Sequence, residues 1–579
     1  MRSNFKMKSE PFPSLTLRKA KMISYSQLYA DERASLESLV KYIPTDEAVE
    51  WCTYIVFRKD NMKIEESDIH ILAPLLFSFE SELQHRLTDY LGGFYNGVDN
   101  LIDRYSLLKL TQYLIAHPNE EHHELTESEK TRLFKAYLVF CDEYLDRISM
   151  GRSMPEKCTS DDMLKCYMPI TLLTNDVENF TDATLEVIKG KWFFVDFANS
   201  DKKFKKYVDD FIGAKRYNSA IEYIGYIFNI VASTTVHEPP TNIIKFRKDN
   251  GAWIDFMSGM SYDQDGDGAY DDLNDIRSKP VYRLEKDKYA ILFSKFFIDK
   301  IFQGMLFDMA ATLAAMGTFS DEVTAYKSLK QQVGERFSEQ YMLYRTLEST
   351  LSRRIPVRMT GEALHKELKS GEPDYYARRS NRVFIFEFKD VRLDAKTKTS
   401  CDFETIRKKL FNIFVENEEG KPKGVKQLAN VIEKKLPEII SRVDTSAPEG
   451  KLKIYPVLAY TDGSFDIEGI NYYLNSEFKR CLSVSDDRFQ VKDLLMVNLN
   501  LLMKLENLFV NGKIELDKVV NEYLAYKDSK EILNTVPFNK YLFQYARRKG
   551  FDVKFTGTFK KTFDELLKME QEMTHKIKV

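Results

Sequence analysis

Between Gly371 and Asp390 the chain reads GEPDYYARRSNRVFIFEFKD, an apolar strand that ends in charge, and no other stretch limits the possible folds as much. Val383 to Phe388 is β-branched and aromatic without a polar side, the composition of a strand covered on both faces. Side chains alternate along a strand, so Glu387 and Lys389 leave one face with about 7 Å between their Cα atoms. Phe384, Phe386 and Phe388 leave the other. Tyr375 to Ala377 can pair with this strand through a turn at Arg378 to Asn381, which returns Asp374 to the side of Glu387. Two carboxylates in one place repel each other unless a proton or a divalent cation neutralises them, and hard oxygen ligands suit Mg2+, with Mn2+ as a substitute. A lysine beside such a cation can orient a water, or help deprotonate it, for attack on phosphate. The plainer alternative is an exposed hairpin closed by a salt bridge.

At 579 residues and 43% hydrophobic content the chain is long enough for more than one globular domain. Its 40 Phe and 32 Tyr against 24 Gly and 17 Pro favour long helices over irregular loops. The net charge of −3 hides an asymmetry: residues 331–579 carry 44 Lys and Arg against 37 Asp and Glu, and residues 1–330 carry 41 against 51. The acid cluster therefore sits in the basic half. Cys52, Cys141, Cys158, Cys166, Cys401 and Cys481 form neither a C-x-x-C pair nor a zinc pattern, and reduced thiols in a cytoplasm are expected. No apolar run has the length of a secretion signal or a membrane span, so no membrane association is expected.

Taken in order, residues 1 to about 30 read as a loose arm. Apolar residues then recur at three- and four-residue spacing from Tyr25 to about Met150, the mark of stacked amphipathic helices. The segment WFFVDF, 192–197, fits either a short strand or a buried aromatic stretch. Asp263, Asp265, Asp267, Gly268 and Asp271 match the start of a Ca2+-binding loop, but Asn274 stands where a bidentate glutamate belongs. The alternative there is an acidic solvent loop. Pro280 to Met316 reads as the most apolar helical stretch of the chain, and residues 321–350 as a helix carrying Glu335 and Glu339 four apart on one face. Amphipathic helices follow the hairpin at 403–415 and 424–435, with strands at 453–463 and 491–499 and helices to the end.

The expected fold is thus α+β and multidomain: a large all-α region over 1–320, with subdivisions near 150–160 and 235–280, an α/β core over 321–500, and a helical extension over 501–579. The order of parts in the core resembles the PD-(D/E)XK nuclease superfamily, the restriction-endonuclease-like fold. The residues that carry the resemblance are Pro373-Asp374, then Glu387-Phe388-Lys389, with an acidic helix before them and Lys426-Gln427 on a helix after them. It covers about 170 residues and says nothing of the first 320. It implies that Asp374 and Glu387 ligate Mg2+, Lys389 assists the attacking water, Glu339 supports the metal or its water, and Gln427 orients the substrate. Arg353, Arg354, Arg358, Arg378, Arg379, Arg382 and Arg392 flank the acids and are candidates to position phosphates without reading bases. The function expected is that of a Mg2+-dependent DNA endonuclease, in prokaryotic defence or DNA processing, with the helical region binding a protein partner, assembling copies of the chain or restraining the nuclease. An RNA endonuclease with the same site, and a scaffold that keeps the fold without turnover, are the alternatives.

Overall fold

The computed structural model of the protein describes residues 22–30, 34–62, 66–92, 101–150, 159–178, 182–236, 241–247, 250–262, 272–483, 486–551 and a few positions between 560 and 568. The proposed Ca2+ ligands Asp263, Asp265 and Asp267 lie outside these. Asn274, in the terminal position of that loop pattern, opens a short helix, Asn274–Ser278, and donates to the Asp272 carboxylate.

The described residues up to position 150 stack as amphipathic helices, with Thr45–Asp60, Arg104–Ala116 and Glu127–Met150 as the longest. Leu107, Leu108, Leu110, Leu133 and Phe140 among others close a common core. The last of these helices starts at a capping box, in which the Thr126 N–H donates to the Glu129 carboxylate at 2.8 Å and the Glu129 N–H to the Thr126 hydroxyl at 3.3 Å. WFFVDF belongs to a buried helical segment, Trp192–Phe197, widened to π-type bonding.

The region before residue 320 is not all helical. Three antiparallel strands, β1 (Ile243–Lys245), β2 (Val281–Glu285) and β3 (Lys288–Ile291), form a small sheet in the order β1-β3-β2. Pro280 to Met316 is correspondingly not one helical stretch: β2 and β3 come first, then helices Ser294–Asp299 and Met305–Ala315. The reason is two-sided burial. Val281, Tyr289 and Ile291 face one core, while Tyr282, Ala290 and Leu292 face the helices of the first 150 residues. Where both faces of a strand are buried, as over Tyr289 to Leu292, the residues are apolar without alternation, so the period-2 pattern is hidden and the stretch reads like the start of a buried helix.

The second sheet holds the hairpin. Its strands are β4 (Val357–Thr360), β5 (Tyr375–Arg379), β6 (Arg382–Lys389), β7 (Leu452–Tyr460), β8 (Phe489–Val491) and β9 (Leu495–Asn498). β4, β5 and β6 run antiparallel, and β6 pairs parallel with β7. β7 pairs parallel with β8 along its first half and with β9 along its second. The register aligns Lys389 with Tyr460 and Tyr460 with Asn498, so three parallel strands end on one rim. One face, with Val383 and Ile385, is covered by helices Phe403–Phe414 and Gly424–Asn430. The other, with Phe384, Phe386 and Phe388, belongs to a core that continues through Leu185, Phe297 and Phe337 to Ala546. That core joins residues on both sides of position 320.

Candidate active site

β5 and β6 pair Tyr375 with Phe386 and Arg379 with Arg382, leaving Ser380 and Asn381 as a two-residue turn in which Ser380 takes φ 53°. Carried one residue further, this register places Asp374 beside Glu387, as the sequence predicts. The Phe388 N–H donates to Asp374 Oδ2 at 2.6 Å, and Lys389 Nζ donates to Glu387 Oε1 at 2.8 Å. Glu387 is only 3% exposed, so the ion pair is formed inside the protein rather than on a wet hairpin. The Asp374 main chain is fixed by a bond from the Gly361 N–H at 2.8 Å. A Cβ at Gly361 would stand 3.0 Å from the Pro373 carbonyl and 3.2 Å from that of Asp374, so glycine permits the close approach of helix Gly361–Leu368.

The acidic helix comes from Glu322–Gln332, Val333–Leu343 and Tyr344–Leu351, which follow without a break; the middle segment has π-type bonding. Such widenings shift the faces of a helix and recur at functional sites. Here Glu335 is exposed and accepts from Gln331 Nε2 at 3.0 Å, whereas Glu339 is half-buried and within the field of Glu387. Of the two candidates, Glu339 is the one at the site. Ser338, next to it, donates to Asp390 Oδ2 at 2.8 Å, and Lys330 pairs with Asp390 Oδ1 at 2.9 Å. Asp390 directly follows Lys389, so it ties the acidic helix to the end of β6.

Electrostatically the four groups form one unit. Burial, then Glu387, pushes the Glu339 carboxyl up to about 7. Burial, then Glu387 and Glu339, raises the Asp374 carboxyl well above the ordinary range. For Lys389, burial works against the ammonium, but Glu387 and Asp374 outweigh it and hold it above its ordinary value. Acids that resist ionising together are what a cation would relieve. Among the described residues no group of three or more His, Cys, Asp and Glu side chains forms a ready metal cage. The donor set nevertheless fits Mg2+, which takes one or two protein carboxylates and leaves its other positions to water and phosphate oxygens.

On the covered face, the helix opened by Gly424 begins beside Lys389: a Cβ at Gly424 would lie 2.9 Å from Leu458 Cδ1 and 3.6 Å from Lys389 Cγ. One turn on, Lys426 is tied to Glu416, while the buried Gln427 Oε1 has no hydrogen-bond partner among the described residues. Sequence reasoning missed Gly424 and Gly361, whose signal was a glycine at the first turn of a helix flanking the motif. It also missed Tyr344, a buried phenol raised by burial and by the fields of Glu339 and Asp374.

The flanking arginines are mostly engaged by the protein's own groups, although only Arg378 is buried. Arg378 forms a two-pronged pair with Asp444, whose side-chain exposure is 1%, and Tyr376 donates to the same carboxylate at 2.8 Å. Arg379 pairs with Glu515 at 2.8 Å, Arg382 with Asp517, and Arg358 with Glu348 at 3.0 Å. Arg353 reaches the Val510 carbonyl at 3.4 Å, and Arg354 packs over Gly512. Arg392 alone of the seven lines a large cavity. The basic character of this half is thus partly internal, a distinction that composition does not contain.

No protein-family model, no curated protein and no solved structure matches the chain. No helix among the described residues is long and apolar enough to cross a membrane.

Proposed function

We propose that the chain is a Mg2+-dependent endonuclease of the PD-(D/E)XK type that hydrolyses DNA phosphodiester bonds, with Asp374, Glu387, Lys389 and Glu339 as its active site. The observation that carries this reading is the convergence of three carboxylates and one lysine, drawn from the hairpin and the acidic helix, at the end of a buried strand. Asp374 and Glu387 would hold the metal, which when bound polarises a phosphate oxygen and acidifies a water. Lys389, kept cationic by its acidic neighbours, orients the attacking water and offsets charge gathering on the phosphate. Glu339 would support the metal or its water, and Gln427 would help orient the substrate. The helical N-terminal region regulates or assembles the enzyme, in a defence or DNA-processing role.

The internal pairing of the flanking arginines favours a second reading, a scaffold with the same fold and no turnover. One assay separates the two: supercoiled plasmid, single-stranded DNA and RNA are incubated with the full-length protein in Mg2+ or in chelator, alongside Lys389→Ala. DNA cleavage that needs Mg2+ and falls roughly 100-fold or more in the variant is expected. A Lys389→Ala protein that cuts as fast as wild type removes this site. Cleavage confined to RNA changes the substrate class.

A further inference from the structure

Beyond the rim where β6, β7 and β9 end, a cavity of about 1040 Å3 opens between the second sheet and the helices that precede it. Its sheet-side wall is Thr461 to Ser464, directly after β7, with Asn498 and Asn500 at the end of β9 and Arg392 after β6. The opposite wall comes from helix Ser294–Asp299 with Lys295 and Asp299, and from Arg277. The carboxyl ends of parallel strands are where α/β sheets leave room for a ligand.

Most of the charges on these walls are already satisfied. Lys300 holds Asp308 at 3.0 Å, Lys398 holds Asp176 at 2.7 Å, and Lys504 holds Asp182 at 2.9 Å. Lys295 and Arg392 are different: neither has a hydrogen bond or a close ion pair among the described residues. The buried Arg277 Nε and Ser464 Oγ also lack partners. Burial holds the Lys295 ammonium below its ordinary value and the Asp299 carboxyl above its own; each charge offsets the other in part, but no hydrogen bond joins them among the described residues. A lysine, one guanidinium, the Nε of another and a hydroxyl therefore present donors from both walls to a shared space. A chain of phosphates has acceptor oxygens enough to meet several such donors at once, more than a single carboxylate offers. The volume exceeds what an inorganic anion needs, and Phe296, Phe307 and Phe543 supply apolar surface for the remainder.

We propose that this cavity is a binding site for a polyphosphorylated small molecule of nucleotide size, gripped by Lys295 and Arg277 from the helical side and by Arg392 and Ser464 from the sheet side. The site is separate from the carboxylate rim and does not depend on the nuclease reading. Arg392 and Thr461 also line a small void at the Ser338–Asp390 joint, so the occupant would sit next to the tie that holds the acidic helix.

The test is calorimetric titration of the full-length protein, in EDTA, with inorganic pyrophosphate and then with ATP. Pyrophosphate is expected to bind at a single site, and ATP about tenfold tighter or better because it also covers the apolar wall. Lys295→Met and Arg392→Gln are each expected to weaken both by about tenfold or more, the loss of one charge-assisted bond. Absence of any heat or melting shift with either probe at millimolar concentration overturns the proposal. So does undiminished affinity in Arg392→Gln, which would put the anion elsewhere. Arg392 retains solvent exposure and takes part in no packing cluster, so its variant keeps the comparison if Lys295→Met does not fold.

Discussion

At Gly424 a hydrogen in place of a methyl group sets how closely the following helix can lie on Lys389. Leu458 Cδ1 stands 2.9 Å from where a Cβ would be, on a strand that has no room to retreat. Gly424→Ala should therefore cost about 1–3 kcal/mol through overpacking, read as a lower urea midpoint at unchanged slope, and should slow cleavage by shifting the helix away from Lys389. Arg378 makes the opposite point. In sequence it is one half of an arginine pair beside an acidic motif, and its charge looks available; its partner Asp444 lies 66 residues away and cannot be read from spacing. Removing one member of a buried pair strands the other, so Asp444→Asn should cost about 3–5 kcal/mol. Burial raises the Asp444 carboxyl, but Arg378, Tyr376 and Ser446 outweigh it and hold it below its ordinary value. Stability from this pair is then complete above the unfolded carboxyl's value of about 4 and is lost as pH falls through the lower folded value. Acid unfolding of wild type should accordingly be shallower in Asp444→Asn across that window, because the variant has no such proton to take up. Identical acid-unfolding slopes in the two proteins would contradict the assignment.

Among the elements, the hairpin was the most legible, because an apolar strand that ends in Glu387-Phe388-Lys389 leaves few alternatives for which face each residue takes. The acidic helix was legible as a helix, and the resemblance alone favours Glu339 over its competitor Glu335; what the sequence does not contain is the π-type widening and the tie to Asp390. The three-stranded sheet was hidden, since only Val281, Tyr282 and Tyr289 to Leu292 are buried, too few apolar positions on either side of the mostly polar stretch 283–288 to show a strand's alternation. The tie itself can be tested. Ser338 is 1% exposed and its hydroxyl bonds Asp390, so Ser338→Ala should cost about 1 kcal/mol in stability. If that bond sets where Glu339 stands, the cleavage rate should fall roughly 10-fold with KM unchanged, as for other groups that position a catalytic residue. A loss of stability with full rate would leave the helix a packing role only.

At the scale of the whole molecule the deciding feature is the core that runs from Leu185 to Ala546. Phe337 of the acidic helix packs against Phe193 and Phe302, with ring centroids 5.2 and 5.5 Å apart, and both partners precede position 320. Ion pairs cross at the same level: Arg336 with Asp201, Lys398 with Asp176, and Lys504 with Asp182. Motif spacing places a nuclease-like unit at 321–500, but spacing carries no information about which apolar faces a unit can cover with its own residues. A fragment of residues 321–579 would leave Phe337, Tyr341 and Tyr326 without their ring partners Phe193, Trp192 and Phe307, a loss of apolar burial worth up to about 1.5–3 kcal/mol for each side chain so exposed. Against the 5–15 kcal/mol that usually separates folded from unfolded chains, three such losses are decisive. Expressed alone, that fragment should be insoluble or expanded, with helical far-ultraviolet circular dichroism but no near-ultraviolet signal and no sharp melting transition. The full-length chain should lose the near-ultraviolet signals of both halves at one midpoint. A fragment that melts cooperatively and cleaves DNA at the full-length rate would show that the preceding helices are dispensable to the site, and that the shared core is a contact between units rather than part of either.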